Sequence, residues 1–100
     1  MKVLWSEQAL RDVEHIRDYI AQDSAVYAQA FIARLLHATR HLPDFPHSGR
    51  PMPEANDPGI RELIYQGYRI IYRLRPDAIE IVIVAHGSRN LGAAPSHPGE

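Results

Sequence analysis

The chain has 100 residues, 45% of them hydrophobic, and a formal net charge of −1, which fits one small globular domain. This near-neutral charge argues against a dedicated nucleic-acid binder, which is usually basic overall. The absence of cysteine excludes disulfides and thiolate metal sites. Because the segment MKVLWSEQ lacks a signal-peptide core and no run is long enough to cross a bilayer, we expect a soluble cytoplasmic protein without a membrane partner.

A short strand and an amphipathic helix open the chain. Residues 3–5 form a brief apolar run, which predicts a strand at one edge of a sheet. Ser6 has the side chain of a helix N-cap, and hydrophobic residues recur at helical spacing after it, so we predict a helix to about Gln22. The charges on the other side of this helix, Asp12 among them, are expected to face solvent.

A second helix follows a connection of two or three residues, which makes the pair an antiparallel hairpin. Asp23 or Ser24 is its predicted N-cap, and its hydrophobic stripe continues until Pro43 stops it. His37 and His41 have the i,i+4 spacing of a metal pair, but the Glu of an HExxH motif and a third ligand are missing. We therefore expect neither a metal site nor a cofactor.

Residues 43–59 contain five of the eight prolines of the chain. Proline at this density disfavours both helix and sheet ladder, so we predict an ordered but irregular crossover. Phe45 and Met52 are the side chains expected to anchor it. The crossover also presents Arg50 on a stiff turn, within the sequence SGRP.

Three strands then form an antiparallel meander, around which the fold is organised. Ile60–Tyr65, Tyr68–Leu74 and residues 79–86 are rich in Ile, Val and Tyr. Gly67 suits a two-residue hairpin loop, and Pro76 suits the first central position of a type I turn. The predicted fold class is α+β, with the helical hairpin packed on a twisted antiparallel sheet in the order β-α-α-β-β-β.

The turn lengths give a provisional register, in which Tyr65 pairs with Tyr68 and Leu74 with Ile79. Continued to the end of the last strand, this register places Arg69 diagonal to His86 on the face away from the helices. The face expected to meet the helices carries Arg61, Leu63, Tyr65, Tyr68, Ile70, Tyr72, Leu74, Ile79, Ile81, Ile83 and Ala85.

Arginine is concentrated in the sheet half of the chain. Ten of the eleven basic residues are Arg, and five of these lie between Arg61 and Arg89 against three acids. Since a guanidinium can hold carboxylate or phosphate with two hydrogen bonds, we expect the contact surface in this half. Arg73 lies opposite Glu80 in the predicted register, which favours a structural ion-pair ladder at that position.

The order of these pieces resembles the RelE/ParE superfamily of small toxins from type II toxin–antitoxin modules. The resemblance rests on SGRPMPE in the crossover, GYRIIYR in the meander and AHGSRNL at its end, and it covers roughly residues 3–91. It implies one toxin domain over residues 1–91 and a cognate antitoxin as partner. The tail at residues 92–100 is rich in Gly, Pro and small residues, which predicts disorder.

The resemblance leaves the target open, because RelE-like members cut mRNA on the ribosome and ParE-like members poison DNA gyrase. RNA cleavage needs an acid, a base and a cation. Arg69 and Arg89 match basic positions of the family and could hold phosphate, and His86 could be acid or base. The sheet has no Lys and no aromatic residue follows His86, so we favour gyrase inhibition without catalysis. The alternatives are a ribosome-dependent mRNA endoribonuclease and a non-toxic, antitoxin-binding relic. Contacts with the target or antitoxin are expected from Arg50, Arg61, Arg69, Arg73 and Arg89.

Overall fold

A computed structural model describes residues 1–89 and residue 91. Across these residues the elements are β1 (Lys2–Trp5), α1 (Glu7–Ala21), α2 (Ala25–Ala38), β2 (Arg50–Pro51), β3 (Ile60–Tyr65), β4 (Tyr68–Leu74) and β5 (Ala78–His86). The strands form one sheet in the order β1-β5-β4-β3-β2, in which β1 runs parallel to β5 and the other pairs are antiparallel. The α+β class is confirmed, and the predicted disordered tail lies outside the described residues.

Both helices begin at serine caps, as predicted. The Ser6 hydroxyl accepts a hydrogen bond from the N–H of Ala9, and the Ser24 hydroxyl accepts one from the N–H of Tyr27, each at 3.0 Å. These bonds satisfy donors that have no partner within the first helical turn. Neither helix is both long and apolar enough to cross a membrane.

The end of α2 and the crossover differ from the prediction. The helix ends at Ala38, where the N–H groups of Thr39 and Arg40 donate to the carbonyls three residues back, those of Leu36 and His37, and the chain continues in tight turns. The crossover contains β2, whose proline is tolerated because it lies on an edge strand. Met52 anchors the crossover as expected, whereas Phe45 is 64% exposed and does not.

The main core lies between the helices and one face of the sheet. Phe31 of α2 contacts the rings of Tyr65 and Tyr68, with centroids 5.8 and 5.7 Å apart. Tyr72 is fully buried, and its hydroxyl donates to the carbonyl of Pro46 at 2.7 Å. The predicted position of these three tyrosines on the helix side is therefore confirmed.

The predicted register of the last strand is wrong beyond its middle. The pairs Leu74–Ile79 and Tyr65–Tyr68 are present, but Ile71 pairs with Ile83 while Tyr72 pairs with Ile81. Val82 is therefore an extra residue, a β-bulge, and every later side chain of β5 changes face. Val84 and His86 face the helices, whereas Ile83 and Ala85 lie on the opposite face in a second core with Met52, Ile60 and Leu91.

The bulged end of β5 is covered by α1 and its cap rather than by β1. The parallel pairing with β1 stops at Ile81, after which the Ser6 hydroxyl donates to the carbonyl of Val82 at 2.9 Å. The Asp12 carboxylate accepts the N–H of Val84 at 2.9 Å. Asp12 is 8% exposed, so the expectation that it faces solvent is wrong. A buried acceptor on the helix here replaces a missing neighbouring strand.

Candidate functional site

Four charged side chains meet on the sheet face that points away from the helices, and we call them the arginine–glutamate cluster: Arg50, Glu54, Glu62 and Arg69. Glu62 and Arg69 project from neighbouring strands, β3 and β4, on the same face. Glu54 reaches them from the crossover and Arg50 from β2. Two positive and two negative charges are thus brought together by β2, the crossover segment after it, β3 and β4.

Arg69 is the centre of the arginine–glutamate cluster and is 7% exposed. Its guanidinium donates to both carboxylate oxygens of Glu54, at 2.6 and 2.8 Å, and to Glu62 at 2.8 Å. It also donates to the carbonyl of Arg89 at 3.3 Å. The second oxygen of Glu62 accepts from Arg50 at 2.5 Å. Buried charges are stable only when they are paired and hydrogen-bonded. Each charged group of the cluster has an oppositely charged hydrogen-bond partner within it.

The hydrogen bond from Arg69 lowers the pKa of the Glu54 carboxyl below its ordinary value of 4.5, and this effect exceeds the opposing effect of burial. A carboxyl with a depressed folded-state pKa stabilises the fold above its unfolded pKa, and that stability is lost as pH falls through the folded value. The contribution of Glu54 is therefore complete at neutral pH and declines below about pH 4.5.

We expect Glu54→Gln to lower the free energy of unfolding at pH 7 by on the order of 1 kcal/mol. The difference from the unsubstituted protein should shrink below about pH 4.5, because protonation removes the same charge from Glu54. Urea unfolding at pH 7, 5 and 3.5 measures both effects. Glu14→Gln, on the exposed side of α1, is the matched control. A difference that stays constant across this range contradicts the assignment.

The remaining arginines of the sheet fall into two groups. Arg61 is held internally, because its guanidinium donates to the carbonyl of Gly49 at 2.6 and 2.9 Å. Arg73 is exposed and makes no ion pair in the described part of the chain. The predicted pairing of Arg73 with Glu80 is present in the backbone register, but Glu80 forms its ion pair with Arg75, at 2.6 Å.

His86 lies on the other side of the sheet from Arg69, so the predicted diagonal contact between them is wrong. Its ring meets Tyr68 edge to face, with centroids 5.6 Å apart. Its Nδ1 accepts the backbone N–H of Ser88 at 3.2 Å and lies 2.8 Å from the Ser88 hydroxyl. Since that N–H can only donate, a neutral ring carries its proton on Nε2.

His86 and Arg89 share a groove of about 530 Å³ between α1 and the end of the sheet, which we call the α1 groove. Burial, and to a smaller extent the neighbouring Tyr19, raise the pKa of the Tyr68 phenol, so this group stays protonated at neutral pH. The groove is lined by Asp12, His15, Ile16, Tyr19, Tyr68, Val84, Ala85, His86 and Arg89. Of the three residues predicted for RNA cleavage, the structure therefore brings His86 and Arg89 into one groove. Arg69 does not line that groove, although its guanidinium reaches the backbone carbonyl of Arg89.

Sequence reasoning missed two of the side chains that shape these sites. Glu54 follows two prolines in an irregular segment, and nothing in its local sequence places it against Arg69. Asp12 was grouped with the solvent-facing charges of α1, although it lies only four residues before the buried Ile16. That spacing puts both residues on one side of the helix and was the available signal.

The chain matches a protein family over residues 3–91, and this family is described as the ParE toxin of type II toxin–antitoxin systems, parDE. It is 35% identical over 89 residues to "Toxin RelE2" of Caulobacter vibrioides, covering 88% of this chain and 97% of that protein. It is 34% identical over 87 residues to "Putative toxin Y4kP" of Sinorhizobium fredii, covering 85% and 86% of the two chains.

Solved structures agree at the level of the fold. A chain of the chromosomal ParDE toxin–antitoxin system from P. aeruginosa superposes with a TM-score of 0.73 at 21% identity, covering 86% of this chain and 95% of that one. A chain of the RelBE2 toxin–antitoxin complex from Mycobacterium tuberculosis gives a TM-score of 0.62 at 20% identity, with coverage of 85% and 95%. The fold is that of the ParE/RelE superfamily of type II toxins. The chain belongs to the ParE toxin family within it.

Proposed function

We propose that this toxin stops growth in the cytoplasm by poisoning DNA gyrase and that a cognate antitoxin holds it inactive. The separation of Arg69 from His86 carries this proposal. Cleavage of RNA requires an acid, a base and a cation around one phosphate. Arg69 is instead paired with Glu54 and Glu62 across the sheet from His86. Inhibition by binding makes no such demand on the toxin.

The exposed arginines are the proposed contacts with the target. Arg73 and Arg89 are exposed, and the Arg50 side chain is 64% exposed although one of its nitrogens pairs with Glu62. Arg61 and Arg69 contribute indirectly in this proposal. Arg61 holds the Gly49 carbonyl in place, and Arg69 holds the Glu54 carboxylate. The proposed antitoxin follows the two solved structures described above, which come from a ParDE system and a RelBE2 toxin–antitoxin complex.

A ribosome-dependent mRNA endoribonuclease is the second candidate, and the α1 groove is the observation that favours it. His86 offers a ring that can exchange a proton, and Arg89 offers a cation in the same groove. His15 lines that groove as well. RNA cleavage by these three residues would have to proceed without Arg69, which does not line the groove.

Two substitutions in the α1 groove separate the candidates. We expect His86→Gln to keep growth inhibition, because His86 shapes the end of the sheet in a gyrase inhibitor. We expect Arg89→Ala to weaken inhibition roughly tenfold or more, because a hydrogen bond from a charged group is worth about 1.5–3 kcal/mol. The measurements are growth after induction, gyrase supercoiling with detection of cleaved DNA, and cleavage of ribosome-bound mRNA. His47→Gln, an exposed histidine of the crossover, is the control.

Each outcome of these measurements supports a different candidate function. Stalled supercoiling with cleaved DNA and intact mRNA supports the gyrase proposal. In a nuclease, loss of a proton-transferring group typically costs about 10²–10⁴-fold in rate. A folded His86→Gln variant that no longer harms cells therefore favours mRNA cleavage. An unsubstituted protein that affects neither target is the non-toxic relic.

A further inference from the structure

The turn that follows β5 brings Arg89 to the α1 groove, and we call residues 87–89 the Arg89 turn. The N–H of Gly87 donates to the carbonyl of Gly67 in the β3–β4 loop at 2.7 Å, and the N–H of Arg89 donates back to the carbonyl of His86 at 3.0 Å. A Cβ at Gly87 would lie 2.9 Å from the same Gly67 carbonyl oxygen, so the two loops are in close contact. The start of the Arg89 turn is therefore fixed to the hairpin beside it.

The end of the Arg89 turn is held from the opposite face of the sheet. Arg69 lies on the face away from the helices, and its Nη1 donates to the carbonyl of Arg89 at 3.3 Å. Leu91 is buried in the second core on that same face, beside Ile71 and Ala85. Arg89 itself lines the α1 groove on the helix side. Arg89 therefore spans the end of the sheet, with its carbonyl bonded on one face while the residue lines the groove on the other.

The guanidinium that holds this carbonyl is itself held in place. The nitrogen of Arg69 that donates to Arg89, Nη1, also donates to Glu54 at 2.8 Å, while Nη2 donates to the other oxygen of Glu54 and Nε donates to Glu62. A guanidinium is planar and its N–H groups point in fixed directions, so bonds along two of its sides set the direction of the remaining one. The crossover and β3 thus determine where the Arg89 carbonyl can be bound.

The bond to Arg89 is not needed to neutralise Arg69, because two carboxylates already surround that guanidinium. At 3.3 Å it is longer than the bonds to the two glutamates, so it contributes less than they do to the stability of the fold. What this bond does determine is the place of a residue that lines the α1 groove. Its role is therefore in the geometry of that groove.

We propose that Arg69 is a positioning residue for Arg89: it fixes the Arg89 backbone from the far face of the sheet and so sets where the Arg89 side chain meets the target. This inference rests on the proposed function, in which Arg89 contacts the target. Arg69 then affects inhibition without touching gyrase, and its effect passes through Arg89 alone. Glu54 takes part as the group that holds Arg69.

Arg69→Lys tests the positioning, because lysine keeps the positive charge between Glu54 and Glu62 but has one nitrogen in place of the planar fork. The measurement is the concentration of folded toxin, determined by circular dichroism, that half-inhibits supercoiling by purified gyrase. We expect Arg69→Lys to raise this concentration about tenfold, comparable with Arg89→Ala, because both remove a well-placed charged contact. Adding Arg69→Lys to Arg89→Ala should raise it by no more than about a further twofold.

Arg75→Lys is the control, since it makes the same change in an Arg–Glu pair just beyond the other end of β4. Arg75 donates to Glu80 there at 2.6 and 2.9 Å. The substitution should leave the half-inhibitory concentration within about twofold of that of the unsubstituted toxin.

Hydrogen exchange gives a second readout, which does not involve the target. Loss of the Arg69 bond should free the Arg89 turn, so we expect the Arg89 N–H to exchange about tenfold faster in Arg69→Lys. The N–H of Ile79, which is fully buried and paired with strands on both sides, reports the stability of the whole fold. A purely structural role for Arg69 would speed exchange at Ile79 at least as much as at Arg89.

Glu54→Gln keeps the inference testable if Arg69→Lys does not fold, because it removes one of the two oxygens that hold Arg69. We expect a smaller change in the same direction, about threefold in both inhibition and Arg89 exchange, and no further effect on inhibition when Arg89 is already alanine. Glu80→Gln is its matched control, since the side chains of Glu54 and Glu80 are 23% and 24% exposed and each pairs with one arginine.

Additive effects of Arg69→Lys and Arg89→Ala, with no selective increase in exchange at Arg89, overturn the inference and leave gyrase as the target. An unsubstituted toxin that does not inhibit gyrase overturns the proposed function, and the statement about target contact falls with it. The exchange at Arg89 then decides alone whether Arg69 positions that residue.

Discussion

Arg69→Ala is expected to lower the free energy of unfolding by about 3–5 kcal/mol, the usual effect of removing one partner from a buried ion pair. Glu62 is fully buried and would keep only Arg50, and Glu54 would lose the guanidinium that holds both of its oxygens. Since small domains are stable by only about 5–15 kcal/mol, much of the fold's stability depends on this side chain. Urea unfolding followed by circular dichroism measures the loss.

Arg73→Ala is the matched control, because Arg73 lies four residues further along β4 on the same face, is exposed and has no ion pair among the described residues. It should change stability by less than about 0.5 kcal/mol. Adding Glu62→Gln to Arg69→Ala should restore part of the loss, since it removes the buried charge that was left unpaired. Equal stability of the Arg69 and Arg73 variants would show that the cluster contributes nothing.

This result also changes how a loss of toxicity at Arg69 is to be interpreted. An inactive Arg69→Ala variant is expected to be a poorly folded one, and its level of soluble protein in the cell should fall in parallel with growth inhibition. Arg89→Ala and Arg73→Ala are the better tests of target contact, because both residues are exposed.

Gly49→Ala is expected to destabilise the fold by about 1–3 kcal/mol or more, the cost of forcing extra atoms into a packed site. A Cβ at this position would lie 2.7 Å from the Tyr72 hydroxyl and 2.9 Å from the carbonyl carbon of Glu62, and closer still to the Glu62 carbonyl oxygen. The backbone of β3 cannot move aside easily. The Gly49 N–H, which donates to the Tyr72 hydroxyl at 3.0 Å, would be displaced as well.

Gly59→Ala is the control for this substitution, because the nearest atom to a Cβ there is a side-chain oxygen of Asp57 at 3.2 Å. That side chain can rotate, so we expect a change within about 0.5 kcal/mol. Thermal unfolding of the two variants makes the comparison. Similar melting temperatures would mean that the crossover shifts to accept the extra carbon at Gly49, contrary to its close packing against Glu62 and Tyr72.

The sequence predicted those parts of the fold that depend on neighbouring residues. The serine caps, the turn at Gly67 and the three long strands each have a local signal, and all are present. The bulge at Val82 has none, because the run IEIVIVA is apolar at most positions and fits either face. The one-residue shift in pairing at Val82 places His86 on the helix side. The predicted register did not include this shift and therefore placed His86 and Arg69 on one face.

The arginine–glutamate cluster was partly predictable. Glu62 and Arg69 share a face in the predicted register, and the structure joins them at 2.8 Å. Glu54 could not be placed, since its position depends on the path of an irregular crossover over the sheet. The burial of Arg69 could not be predicted from the sequence either. Burial distinguishes a structural guanidinium from one that is available to a ligand.

The parallel pairing of β1 with β5 constrains the order in which this chain can fold. The Ser6 hydroxyl bonds to a carbonyl 76 residues later, and the Asp12 carboxylate to an N–H 72 residues later. The helical hairpin and the β3–β4 hairpin can form from nearby residues. In contrast, β1 has no strand partner, and the Ser6 and Asp12 side chains lack these two bonds, until β5 has left the ribosome. The α1 groove, whose walls come from α1 and from β4 and β5, is therefore assembled only after β5 has emerged. A partly synthesised toxin does not yet have that surface.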